Sequence, residues 1–142
     1  DIYFEQFKSL ISGKSDLIYL KAFNEIEKLN DLLLKIDNLM IKRNKEIDII
    51  LCFDNDENIV NYKKQNSSLS KINIISEGIS IEGNQIEKIN NYNYSFISLN
   101  IDSSSQTDKI PELIKNNYSI RIINFHNGFV PDNIEKIIQN LQ

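Results

Sequence analysis

Five short apolar runs, each of which stops at polar residues, set the pattern of this chain. The most apolar one is Ile49 to Phe53, within the stretch Ile47 to Asp56 (IDIILCFDND). A short run rich in β-branched residues that ends at turn-forming residues predicts a strand buried on both faces of a parallel sheet. The other four runs are Leu17 to Leu20, Ile72 to Ile75, Phe96 to Leu99 and Ile120 to Ile123.

Apolar residues at helical spacing follow each of these runs. The longest such stretch begins after Asn24, a candidate N-cap, and carries Ile26, Leu29, Leu32, Leu33, Ile36, Leu39 and Met40. Shorter patterns predict a first helix over Ile2 to Ile11, closed by Gly13. They also predict four more helices: one after Asn55 or Asp56 that buries Ile59, Val60 and Tyr62, one with Ile86 and Ile89 ending near Asn91, one opened by Pro111, and a last one opened by Pro131 with Ile134, Ile137, Ile138 and Leu141 inward.

The boundaries of two strands are less sharply marked. Gly78 and Gly83 bracket an alternating Ile79 and Ile81, which predicts a loop or a short separate strand after a strand over Lys71 to Ser76. The later strands are predicted at Tyr94 to Ile101 and Ser119 to Phe125.

The fold class that follows is α/β, with a parallel sheet of about five βα units. The connections are long enough for crossovers between parallel strands, and no hairpin signal joins adjacent runs. Eight such units close a barrel of roughly 250 residues. The 142 residues therefore predict a single domain that is either the larger part of an incomplete TIM-type barrel or an open flavodoxin-like or toprim-like sheet. Because the chain begins with Asp1, we expect a fragment or degenerate form of a larger barrel.

Composition and charge limit the classes of partner that this chain could bind. The net charge of −4 and the absence of any basic cluster argue against nucleic acid. There is no apolar run of transmembrane length and no secretory leader, so the cytoplasm is favoured. The single cysteine, Cys52, lies in the most apolar run, which excludes a disulfide framework and predicts a small core residue.

Candidate chemistry gathers where the strands end, since ligand sites of parallel α/β folds lie at the carboxyl ends of the strands. That rule collects Lys21, Asp54, Asp56, Glu77, Asn100, Asp102, Asn124 and His126. Asp54, Glu77 and Asp102 are the carboxylates of a possible cation site; alternatively, Asp54 and Asp102 only cap the helices that follow. His126 is the only histidine and has no defined serine or cysteine partner, which favours a structural role.

Two resemblances bear on function. Gly13-Lys14-Ser15-Asp16 and Asp54-Asn55-Asp56 look like the two halves of a toprim domain, a metal-dependent nuclease module. The position of that family's glutamate is Ser12, however, and a long helix replaces the strand expected between the halves.

The second resemblance covers the whole chain, which is similar to the carboxyl-terminal two-thirds of a glycerophosphodiester phosphodiesterase barrel. The similar stretches are FEQFKSLISGKSDLIYLKA, IDIILCFDND, YSFISLNID, IPELIKNNYSIRIINFHN and PDNIEKIIQNL. The family's His-Arg-Gly and Glu-x-Asp steps belong to strands that this chain lacks. In the family's Glu-x-Lys step, Lys21 is kept and the glutamate is Tyr19, while the tryptophan of the last strand is Asn124.

The resemblance implies a hydrolase of lipid metabolism reduced to a pseudoenzyme. Lys21 is the one catalytic residue carried over, as a phosphate contact, and Mg²⁺ or Ca²⁺ is implied only if a parent protein supplies the missing strands. The chain alone is expected to be a non-catalytic binding module with no metal site of its own. We further expect self-association, or a parent segment, to cover the open sheet edge. The alternative is an interaction or small-ligand module of open α/β fold.

Overall fold

A computed structural model describes the chain at residues 2–23, 25–64, 68–83, 85, 96–101, 110–116, 120–125, 134–135 and 137–139. Helices and strands alternate along these residues, which confirms the α/β class. The helices are α1 (Ile2–Ser12), α2 (Ile26–Arg43), α3 (Asp56–Lys64) and α4 (Ile110–Asn116). The strands are β1 (Leu17–Phe23), β2 (Ile47–Phe53), β3 (Ile72–Glu82), β4 (Ile97–Ile101) and β5 (Ile120–Phe125).

The five strands form one all-parallel sheet and lie in it in the order of the sequence, β1-β2-β3-β4-β5. Leu17 pairs with Asp48 between β1 and β2, and Ile79 pairs with Ile97 between β3 and β4. Consecutive strands are also neighbours in βα barrels, whereas a flavodoxin-like sheet has the order 2-1-3-4-5. The predicted parallel sheet of consecutive βα units is confirmed, and its order matches the barrel alternative better than the flavodoxin-like one.

The chain divides into two compact units, residues 1–77 and 78–142, with the boundary inside β3. In the first unit, the Ile47 amide at the start of β2 donates to the Lys71 carbonyl at 3.1 Å, immediately before β3. In the second unit, the Ile79 amide of β3 donates to the Phe96 carbonyl at 3.2 Å.

The core of the first unit is built from α2 and β2. The predicted apolar stripe of α2 is buried at six of its seven positions, including Leu29, Leu33, Ile36 and Met40, whereas Leu39 is half-buried. Burying a side chain of this size contributes roughly 1.5–3 kcal/mol. Successive residues at the end of β2, Leu51 to Phe53, are also all buried, so both faces of this strand are covered, as predicted for a parallel sheet. Cys52 is buried in β2, as predicted for a small core residue.

One charged residue interrupts the apolar face of α2. Asp37 is only 6% exposed, and its carboxylate accepts hydrogen bonds from three consecutive backbone amides before and at the start of β3. Ser70 N lies 3.0 and 3.1 Å from the two oxygens, Lys71 N lies 2.6 Å from Oδ1, and Ile72 N lies 3.2 Å from Oδ1. A buried carboxylate needs such partners, because desolvation of an unpaired charge is costly. We call these contacts the Asp37 clamp.

The helix ends differ in part from the predictions. The left-handed residue after α1 is Lys14 (φ 64°) rather than Gly13, since the Lys14 and Ser15 amides bond back to the Ile11 and Leu10 carbonyls in a Schellman arrangement. At α2 the N-cap position is Glu25, which makes no capping side-chain bond, and Asn24 lies outside the described residues.

At α3 the predicted cap is confirmed, because Asn55 Oδ1 accepts the Asn58 amide at 2.9 Å. Val60, predicted to be buried, is 49% exposed, whereas Ile59 and Tyr62 are inside. The Tyr62 ring packs against Phe53 with 5.5 Å between the ring centroids.

In the second unit, β3 does not break where the glycine pattern suggested. The strand runs through Gly78 to Glu82, so the prediction that it ends at Ser76 and is followed by a loop or a separate strand is wrong. The physical reason is close packing: a Cβ at Gly78 would stand 2.3 Å from the Phe96 carbonyl oxygen, so glycine lets the two backbones approach. Every residue of β4 is buried.

The remaining helices of this unit are described in part. Pro111 lies in the first turn of α4, as predicted. The helix with Ile86 and Ile89 lies outside the described residues, as do Tyr94 and Ser119. Of the last helix, residues 134–135 and 137–139 are helical; Ile137 is buried, but Ile138 is 49% exposed and not inward. Within the described residues no helix is long and apolar enough to cross a membrane.

Candidate functional site

Polar side chains alternate with large apolar ones on the three strands of the second unit. On β3 the polar positions are Ser80 and Glu82, and on β4 they are Ser98 and Asn100. The register places Ser80 beside Ser98, Glu82 beside Asn100, and Asn100 beside Asn124 of β5. Because side chains in a strand point alternately to opposite faces, these residues share one face of the sheet towards the carboxyl ends of the strands.

These five side chains are joined by hydrogen bonds into what we call the polar ladder. Asn100 Nδ2 donates to Ser80 Oγ at 2.8 Å and to Glu82 Oε1 at 2.7 Å. Asn124 Nδ2 donates to Ser98 Oγ at 2.8 Å and to Asn100 Oδ1 at 3.0 Å. Each asparagine therefore donates both amide hydrogens to residues on the preceding strand.

The direction of the ladder follows from the chemistry of its last member. An ionised Glu82 can only accept hydrogen bonds, so the Asn100 atom that faces it is the amide nitrogen. The Asn100 oxygen then faces β5, and the Asn124 atom that meets it is again a nitrogen. The chain of donation thus runs from β5 through β4 to β3 and ends on a carboxylate.

Burial is uneven along the ladder. Ser98 is fully buried and Asn100 is 3% exposed, whereas Glu82 is exposed to solvent. Buried amides and hydroxyls are stable only when they are hydrogen-bonded, which the ladder achieves for its central residues. The buried Asn100 amide fixes the geometry of the ladder, and the Glu82 carboxylate lies at its solvent-exposed end.

The chemical capacity of the ladder is to accept hydrogen bonds. The second oxygen of Glu82 and the Asn124 oxygen are acceptors, and the serine hydroxyls can both donate and accept. Amide and hydroxyl groups do not ionise near neutral pH, so Glu82 is the one member of the ladder with acid–base chemistry, and the other four members offer hydrogen bonds. Its complement is a ligand rich in hydroxyl groups or one with a cationic group.

Of the residues predicted at strand ends, Asn100 and Asn124 are brought together and Lys21 is not in this group. Lys21 and Tyr19 lie on β1 in the first unit, where both line an apolar cavity with residues of α1 and α2. Ser12, the position compared with the toprim glutamate, lies in the last turn of α1 instead of on a strand, and its hydroxyl donates to the Lys8 carbonyl at 2.8 Å.

Two of the three carboxylates predicted at strand ends in the first unit, Asp54 and Asp56, lie at the start of α3. Asp54 accepts hydrogen bonds from the Asn58 and Asn55 side chains at 2.7 and 3.1 Å, which supports the first turn of α3 next to the Asn55 cap. Asp56, also predicted at a strand end, is the first residue of α3.

Glu77 has a different setting. Its carboxylate pairs with the Lys63 ammonium at 3.4 Å. The pKa of Tyr62 is raised to about 12 because the phenol is buried and, secondarily, because Glu77 is a negative charge nearby.

The proposed carboxylate cation site is not assembled by the described residues. Asp102 and His126 lie outside them, and within the part of the chain that the structure describes no group of three His, Cys, Asp or Glu side chains is placed to hold a metal. The sequence reasoning missed Ser80, Glu82 and Ser98. The signal that could have found them is the alternation Ser-Ile-Glu over 80–82 and Ser-Leu-Asn over 98–100, in which small polar residues recur at period two.

Comparisons of this chain with protein-family models, curated proteins and solved structures find no match.

Proposed function

We propose that this chain is a non-catalytic binding module derived from a glycerophosphodiester phosphodiesterase-like barrel, and that the polar ladder holds its ligand. The observation that carries the proposal is the hydrogen-bonded series on β3, β4 and β5, which orients two asparagines and one carboxylate at the carboxyl ends of parallel strands. Ligand sites in parallel α/β folds lie at these ends. The sequential strand order supports the barrel relationship.

The ligand class follows from the groups on offer. The ladder combines acceptors with a negative charge, in a chain whose net charge is −4, so a free phosphate is a poor match for it. Vicinal hydroxyls, such as those of a glycerol moiety or a sugar, can donate to Glu82 and Asn124 and accept from Ser80, which is half-buried, whereas Ser98 is fully buried. The proposed ligand is a neutral polyol or a polyol-bearing head group.

The direct test is a binding titration followed by two-dimensional NMR, with glycerol, glycerophosphocholine and a panel of monosaccharides as ligands. We expect shifts of the Asn100 and Asn124 side-chain amide signals with a hydroxylated ligand. Glu82→Gln removes the charge from the exposed end of the ladder and should weaken binding by about tenfold, the size of one charge-assisted hydrogen bond. Glu57→Gln, which changes an exposed glutamate in the first turn of α3, is the matched control. If no ligand moves the two amide signals, the ladder is structural only.

The catalytic alternative has its own test. Metal-assisted cleavage of a phosphodiester needs a cation, a positioned acid or base, and a positive group on the developing charge. Of these, Lys21 offers the last. We expect the purified chain to release no glycerol 3-phosphate from glycerophosphocholine, with Mg²⁺ or with Ca²⁺. Metal-dependent release that disappears in Lys21→Ala would show a working active site and overturn the proposal.

A second candidate, an interaction module, is favoured by apolar side chains exposed on the sheet of the first unit. Leu17 on β1 and Ile75 on β3 are about half exposed, and β1 is an edge strand of the sheet. An edge strand that is left open invites pairing with another chain. Light scattering distinguishes the cases: a dimer that Leu17→Lys dissociates supports the interaction module, and a monomer at all concentrations argues against it.

A further inference from the structure

The first unit contains a cavity that the proposed function does not use. It has a volume of about 200 Å³ and lies among α1, β1 and α2. Its inner wall is formed by buried apolar side chains, including Phe7, Ile18, Leu32 and Ile36. Tyr3 and Leu10 also line it and are about half exposed, so the cavity opens to solvent on the side of α1.

Few of the residues that line this cavity are polar. They are Gln6, Tyr19 and Lys21. Every described residue that lines the cavity is apolar, neutral or cationic, and none is acidic. In a chain with 20 acidic and 16 basic residues, a lining that combines a cation with apolar walls favours an anionic ligand over a cationic one. Sites for small ligands commonly have this character, with apolar walls and a few polar groups that set orientation.

We propose that this cavity binds a small amphipathic carboxylate, whose apolar body enters between α1 and α2 and whose charged group lies near Lys21. The size of the body follows from the volume. A cavity of about 150 Å³ holds one benzene molecule, so about 200 Å³ holds one aromatic ring with a two- or three-atom linker. Arylalkanoates of the size of 3-phenylpropionate therefore match both the shape and the charge.

The test compares three ligands that share one apolar body and differ in charge. They are 3-phenylpropionate, the neutral 3-phenylpropan-1-ol and the cationic 3-phenylpropylamine, each titrated into the full chain and followed by methyl NMR signals and calorimetry. We expect the carboxylate to bind most tightly, with chemical-shift changes at the methyl groups of Ile18, Leu32 and Ile36. The alcohol should bind about tenfold more weakly, and the amine more weakly still.

Two variants assign the effect to named groups. Lys21→Gln keeps a polar side chain and removes the charge, so it should reduce the affinity for the carboxylate about tenfold and leave that for the alcohol unchanged. Lys45→Gln changes an exposed lysine after α2 and should change neither. Leu10→Trp adds volume at the half-exposed mouth and should prevent binding of all three ligands, with an unchanged circular dichroism spectrum.

The outcomes are distinct. Preference for the carboxylate that is lost in Lys21→Gln supports the proposal. Equal affinity for the three ligands, or an affinity for the carboxylate that Lys21→Gln does not change, overturns it, and so does the absence of any binding. Because the cavity lies within residues 1–77 and the polar ladder within residues 78–142, neither result depends on the fate of the ladder proposal.

Discussion

The Asp37 clamp is the contact whose loss should destabilise the first unit most sharply for a single polar change. The perturbation is Asp37→Ala, which removes the acceptor for the amides of Ser70, Lys71 and Ile72. Those amides begin β3 beside β2, where the Lys71 carbonyl also accepts the Ile47 amide. The substitution therefore leaves donors unpaired at the point where one strand joins the sheet.

The magnitude follows from how well each amide can find water instead. Ser70 is exposed and can be rehydrated, Lys71 is half-buried and Ile72 is buried. A hydrogen bond to a charged group contributes about 1.5–3 kcal/mol, so the Lys71 and Ile72 bonds together give about 3–6 kcal/mol. Removing Asp37 also removes the cost of burying its charge, which offsets part of this sum. We expect a net loss of about 3 kcal/mol in the free energy of unfolding.

The assay is urea unfolding at pH 7, followed by circular dichroism. Asp37→Asn keeps one acceptor oxygen without the charge and should cost about half as much as Asp37→Ala. Asp31→Asn is the matched control on the same helix, where an exposed carboxylate pairs with Lys35 at 2.6 Å; a surface pair of this kind contributes about 0–1 kcal/mol. Asp37→Ala and Asp31→Asn with equal costs would refute the reasoning.

Two further predictions concern a buried phenol and a close backbone contact. Burial and the charge of Glu77 raise the pKa of Tyr62 to about 12, against about 10 in the unfolded chain. The contribution of Tyr62 to the free energy of unfolding is therefore fully present below about pH 10 and is lost as the pH rises to about 12. Tyr62→Phe should make this loss smaller, as measured by urea titrations at pH 9 and 11. The variant should also lack one late absorbance step at 295 nm. Gly78→Ala should cost at least about 2 kcal/mol, because its Cβ would overlap the Phe96 backbone. Gly13→Ala, where the nearest atom lies 3.3 Å from the added Cβ, should cost clearly less in the same assay, and equal costs would contradict the packing argument.

The elements that the sequence predicted best are those whose residues face one environment along their whole length. The stripe from Ile26 to Met40 has the period of a helix with one buried side, and α2 follows it. The run Ile49 to Phe53 lies entirely in β2, which begins two residues earlier, at Ile47. Here the local pattern and the packing agree, so no information from distant residues is needed.

The features that the sequence did not predict depend on contacts between residues that are far apart in the chain. Gly78 looks like a breaker until Phe96 is known to lie against it, and that contact joins residues 18 positions apart. Asp37 occupies a core position four residues after Leu33, and only the amides of residues 70–72 explain a charge there.

The candidate site was predictable in part. Asn100 and Asn124 were predicted from their places at the ends of strands, whereas their partners on β3 required the register of the sheet. Ser80, Glu82 and Ser98 complete the ladder; the alternation of polar and apolar residues places them on one face of their strands, but only the register shows which side chains meet.

All hydrogen bonds of the polar ladder are donated in the same direction, from β5 towards β3. The electron distribution at one end of the ladder therefore depends on what binds at the other end. Asn100 donates and accepts within the same series, so polarisation of one amide strengthens the hydrogen bonds of the next by about 10–30% per bond. A hydroxyl that donates to Asn124 Oδ1 on β5 would therefore draw electron density through Asn100 and alter how strongly Glu82, two strands away, accepts a second hydroxyl. Binding of a hydroxyl at β5 would then change how tightly a second hydroxyl binds at β3, without any movement of the backbone.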